Sequence, residues 1–159
     1  MRKLDDLKPA EIKEAAAALA PEHGHFEAYQ IQGYIADRLG SATWDDDALP
    51  SGYQKNAVQE RYFGRVKRAL DALAGEKVLI RVGANQVLPS GLNSYNTVHY
   101  FTPEEFARQN AEGDARRREQ QAEAFRNDEI RRRLAAGGFT NGTAFTTADW
   151  ERILDMAEL

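Results

Sequence analysis

From Thr102 to Ala136 the chain offers almost nothing to a hydrophobic core, and that decides where a core can form. Thr102 can cap a helix, Pro103 suits its first position, and Glu105 completes a capping box. No further proline precedes Ala136, and Gly113 is the single glycine before Gly137-Gly138. The stretch 103–136 therefore reads as one long helix. About 30 helical residues extend roughly 45 Å. The stretch carries 8 cationic and 8 acidic side chains, with Phe106, Phe125, Ile130 and Leu134 as its large apolar residues. These do not repeat as sustained heptads. A docking helix, against its own chain or against a twin, is the expectation. A short helix over about 147–158 follows, with Trp150, Ile153, Leu154 and Ala157 at helical spacing. The chain thus divides into a domain over 1–102 and a helical extension over 103–159.

The first 102 residues hold the regular apolar periods. Pro9 opens a helix to about Ala20, with Ile12, Ala16 and Leu19 on one face. A second helix is expected from about Phe26 to Leu39, with Tyr29, Ile31, Ile35 and Leu39 inward and Gly40 ending it. Pro50, Gly52 and an aspartate run make Ser41 to Tyr53 a loop. Gln54 to Ala74 reads as a third helix with Val58, Tyr62, Val66, Leu70 and Leu73 as its apolar stripe, ended by Gly75. "KVLIRV" (Lys77 to Val82) and "TVHYF" (Thr97 to Phe101) are β-branched and aromatic runs around a polar turn, hence a hairpin. The fold class is mainly α with a small β-hairpin, an α+β class.

Charge is distributed unevenly. The whole chain has a formal net charge of −4, yet residues 51–102 sum to +4. Residues 1–50 sum to −5, residues 103–136 to 0 and residues 137–159 to −3. A basic block inside an acidic chain points to a local polyanion-binding surface. Within the third helix, Arg61, Arg65 and Arg68 fall on one stripe offset from the apolar one, so they are expected to face outward together.

"YIADRLG" (Tyr34 to Gly40) and "RVKRALDALAGEKVLIRVG" (Arg65 to Gly83) resemble the winged helix-turn-helix family of DNA-binding domains. The resemblance spans about residues 10–102. It implies a supporting helix at Tyr34 to Leu39, a recognition helix at about Gln59 to Leu73, and a wing at about Lys77 to Phe101. The family joins its two helices by a tight turn, whereas here about fourteen residues intervene. A helix fits the major groove, where arginine pairs two-pronged with guanine. The implied DNA-binding residues are Arg61, Arg65, Lys67 and Arg68 on the helix. Lys77 and Arg81 join them from the first wing strand, facing away from a core formed by Val78, Ile80 and Val82. Asn93 and Tyr95 contribute from the wing tip.

Other chemistries find little support. There is no cysteine, which excludes disulfides, thiolate metal sites and cysteine nucleophiles and suits the cytoplasm. His23-Gly24-His25 lacks a third ligand, and Asp45-Asp46-Asp47 lacks the spacing and glycine of an EF-hand. Ser51 and Ser90 stand outside any nucleophile elbow, and no phosphate-binding glycine motif occurs. The first twenty residues show no apolar leader segment, and no uncharged apolar run reaches about 18 residues. The expectation is a non-enzymatic regulator without cofactor or membrane, binding double-stranded DNA as a homodimer through its C-terminal helices. The alternative is a winged-helix-like protein-interaction module, or a small phage or plasmid adaptor acting on a host protein.

Overall fold

The computed structural model describes residues 2–41 and 57–138, with positions 146, 148, 149, 151, 152 and 155. A single 3-10 turn, Leu4–Asp6, precedes α1 (Pro9–His23), β1 (His25–Glu27) and α2 (Ala28–Arg38). Then come α3 (Ala57–Gly75), β2 (Ile80–Val82), β3 (His99–Phe101) and α4 (Pro103–Ala136). The described fold is mostly helical with one three-stranded antiparallel sheet, of the α+β class. The loop expected over 42–53 and most of the helix expected over 147–158 lie outside the described residues. The chain forms two compact units, Met1–Gly113 and Asp114–Leu159. That division falls inside α4, not at its start, because the first turns of α4 carry Phe106 against the sheet.

In the first unit, α1, α2 and α3 pack on one another around Ile12, Ala16, Leu19, Ile31, Ile35, Tyr62, Val66, Leu70 and Leu73. The helical periods of the sequence predict all of these positions. Three expected core residues differ: Tyr29 is exposed, and Leu39 and Val58 are only half-buried. The first helix also runs three residues past its expected end. It passes through Pro21, and Gly24, at φ 68°, closes it by donating its N–H to the Ala20 carbonyl at 2.8 Å.

The sheet corrects the hairpin in two ways. First, a third strand, β1, pairs with β3, giving the order β1-β3-β2. Phe26 belongs to this strand, so the second helix begins at Ala28 and not at Phe26. Second, β2 is shorter than "KVLIRV". Lys77 takes φ 61° and, with Val78, donates its N–H to the last carbonyls of α3, at Ala74 and Leu73. Lys77 is therefore part of the helix exit, Val78 is exposed, and Leu79 enters the main core. Phe26 and Tyr100 face the helices. Ile80, Val82 and Phe101 lie on the opposite face with Leu88 and Phe106.

Thr102 caps α4 as expected, its Oγ1 accepting the Glu105 N–H at 3.3 Å. The reciprocal half of the capping box does not form. The Thr102 N–H donates to the Gly24 carbonyl at 2.8 Å, and Glu105 instead accepts from Arg108 and Gln109.

Beside that cap, two imidazoles meet across β1 and β3. His25 Nε2 and His99 Nδ1 are 2.8 Å apart, and the His25 ring stacks on Phe101. Burial, and then the neighbouring His99, push the His25 pKa down; Glu105 and Glu27 oppose this more weakly. The unfolded chain thus protonates first as pH falls through the ordinary histidine value of about 6.5. Stability should be fully present above that pH and decline below it. Glu11 and Glu105, held at about 2 mainly by Arg2 and Arg108, act in a separate window below the ordinary carboxylate range. Thermal melts should show a falling Tm between about pH 7 and 5, and His25→Phe should flatten that slope. A wild-type Tm constant across that interval would refute the assignment.

Candidate nucleic-acid interface

α3 displays most of the basic block, because its apolar stripe turns Tyr62, Val66, Ala69, Leu70 and Leu73 inward. The six named cations then part company. Arg65 does not face outward with its neighbours. Its side chain is 15% exposed and donates from Nη1 to the Leu7 carbonyl and from Nη2 to the Leu4 carbonyl, each at 2.8 Å. It braces the 3-10 turn, sharing the Leu4 carbonyl with the Leu7 N–H, which donates to it at 3.3 Å. Arg61 reaches the same turn and pairs with Asp5 at 2.7 Å, which raises the arginine pKa and lowers that of the aspartate. Arg61, Arg65 and Arg68 still line one cleft, with Asp5 and Glu60, but Arg61 and Arg65 hold the N-terminal turn there.

Arg81 is also engaged. It lies opposite Tyr100 in the register, and its Nε donates to Asp71 Oδ1 of α3 at 3.0 Å. Tyr100 donates its hydroxyl to the same oxygen at 2.7 Å. Arg81 thus lies on the helix-facing side of the sheet, contrary to the expected outward orientation. Lys77 is exposed, but on the helix exit and not on a strand.

Lys67 and Arg68 remain on the exposed side of α3 with no carboxylate partner among the described residues. The Lys67 ammonium lies 5.0 Å from the Phe63 ring centroid, within cation–π range. Both line a cleft of about 590 Å³ that also includes Asn96 and Thr97 at the base of the hairpin loop. The helix cations and that loop therefore belong to one surface.

The loop between β2 and β3 contains no charged residue from Gly83 to Val98. It is held by its own polar groups. Buried Ser94 donates to the Gly83 carbonyl at 2.7 Å and accepts the Gln86 N–H at 2.9 Å. The Gly83 N–H donates to Gln86 Oε1 at 2.7 Å, an approach a Cβ on residue 83 would crowd. Asn93 Oδ1 accepts the Tyr95 N–H at 2.6 Å, so Asn93 shapes the turn. Asn85 and Tyr95 sit in the left-handed region, and Tyr95 is 74% exposed.

Sequence spacing does not reveal the residues that claim the arginines. Asp5 is 56 positions from Arg61, and no local pattern links them. Asp71 lies within a helical turn of Lys67 and Arg68, so spacing alone would pair it there, yet it bonds to the sheet. No group of three His, Cys, Asp or Glu residues suited to a metal occurs among the described residues. No described helix is long and apolar enough to cross a membrane. No protein-family model, curated protein or solved structure matches this chain.

Proposed function

We propose that this chain is a DNA-binding regulator that meets duplex DNA with the exposed side of α3 and acts as a homodimer. The supporting observation is the pair Lys67 and Arg68, cations without a carboxylate partner among the described residues, on a surface continuous with a neutral hydrogen-bonding loop. The order of three helices and a hairpin agrees with the winged-helix resemblance. On this reading Lys67 and Arg68 contact phosphate or guanine, and Asn96, Thr97 and Tyr95 contact the backbone. Arg61 and Arg65 have structural roles.

A salt-titrated binding assay on genomic DNA fragments tests this. Lys67→Ala/Arg68→Ala should weaken binding and lower the log–log salt slope by about 2 if both meet phosphate. Arg61→Ala, which removes an already balanced charge, should change that slope far less. Undiminished binding by the double variant would remove the proposal.

One observation favours a second reading, a protein-interaction module. The loop exposes Val87, Leu92 and Tyr95 while carrying no charge to attract phosphate. On that reading Leu92→Ala and Tyr95→Ala weaken partner capture, and wild-type protein shows no salt-dependent DNA binding.

A further inference from the structure

From Asp114 to Asp128 every residue of α4 is exposed. Such a helix must hold itself, and Arg117–Asp114, Arg131–Asp128 and Arg132–Glu129 ion pairs run along it. Five charges along it do not join them. Arg116, Arg118, Glu119, Glu123 and Arg126 take no ion pair among the described residues, and Phe125 beside them is 70% exposed.

The order of charges shows what could complete this surface. Lay the segment on itself in the reverse direction with Ala122 beside Phe125. The flanking positions 112, 119, 126 and 133 then read Glu, Glu, Arg and Arg, so Glu112 lies near Arg133 and Glu119 near Arg126 of the second copy. No charge on this flank meets its like. A parallel, in-register pair does the opposite and stacks every charge on its own copy.

The antiparallel arrangement also suits helical geometry. Ala115, Arg118, Ala122, Phe125, Glu129 and Arg132 alternate at spacings of three and four, so they share one face of the helix, half of it charged. In antiparallel layers Ala122 packs under Phe125 of the second copy, Arg118 faces Glu129, and Ala115 lies beside the Arg132 stem. Glu119 and Arg126 occupy the flanking positions, where two-stranded coils carry their ion pairs. The small alanines let the helices approach, and Phe125 supplies the apolar filling.

We propose that a second copy of this chain covers α4 in the antiparallel direction, with the two-fold axis passing between Ala122 and Phe125. This rests on the homodimer reading above and adds its register. It predicts strong salt dependence, because most of the contact is ionic.

The absence of native cysteine makes the register directly measurable. Ala115→Cys protein mixed with Arg132→Cys protein should form the mixed disulfide on mild oxidation, and neither should link to itself. Residues 115 of the two copies would stand roughly 25 Å apart along the helices. Sedimentation supplies the second arm. Glu119→Arg or Arg126→Glu alone should weaken dimerisation about tenfold, by turning attraction into repulsion at two symmetric sites. The double exchange should restore it. A monomer mass at about 100 μM would defeat both the dimer and its register. A stable dimer in which Ala115→Cys links to itself, or in which the double exchange fails to restore affinity, would defeat the register alone.

Discussion

Arg65→Ala is expected to destabilise the fold by about 2–3 kcal/mol while leaving the DNA affinity of the folded protein near wild type. The guanidinium serves the carbonyls of Leu4, Asp5 and Leu7 from a largely covered position. Truncation removes these bonds and leaves the 3-10 turn tied to α3 by the exposed Arg61–Asp5 pair. Leu7, a fully buried residue next to that turn, loses its anchor as well. Arg65→Lys should recover only part of the loss, because one ammonium cannot span carbonyls that a planar fork reaches together. Urea denaturation measures the difference. A loss below about 0.5 kcal/mol would mean that water replaces the arginine without cost. A large loss of DNA affinity in the still-folded variant would return Arg65 to the binding face.

Leu70→Ala is expected to cost about 2–5 kcal/mol, the largest single effect proposed for this chain. Leu70 is fully buried where α3 meets the rest of the helical core, and neighbouring Val66 and Leu73 cannot move to fill the void without disturbing their own contacts. Against a total stability of about 5–15 kcal/mol, that loss is a large fraction of the whole. Chemical denaturation with an unchanged m-value would assign the effect to the folded state. A loss under about 0.5 kcal/mol would contradict the burial.

These two residues also mark how far residue spacing alone specifies this fold and its basic surface. Leu70 is legible because Tyr62, Val66, Leu70 and Leu73 keep one helical period, and only burial explains that period over several turns. The three residues of β1 have no period to read, so Phe26 looks like the start of a helix. "KVLIRV" is legible as extended chain but not in its phase. The exit of α3 takes Lys77 and Val78, which puts Leu79 in the core where alternation from Val78 would leave it outside. Arg65 is legible as a cation and not as a cap. Its acceptors are backbone carbonyls, which every residue possesses, and they come from a turn some sixty positions away that declares nothing locally.

The exposed run of α4 has a consequence for how this chain melts. Residues 114–128 are joined to each other by local hydrogen bonds and ion pairs, and none of their side chains is buried. Their opening need not wait for the core of α1, α2 and α3 to open, so their amides should exchange with solvent well before those of Val66 or Leu70. Helical circular dichroism would then follow two processes, while hydrogen exchange at the Val66 and Leu70 amides would follow one. If a second copy covers α4, the earlier process alone acquires a midpoint that rises with protein concentration. A single melting temperature taken from the helical signal would therefore describe neither part of the molecule.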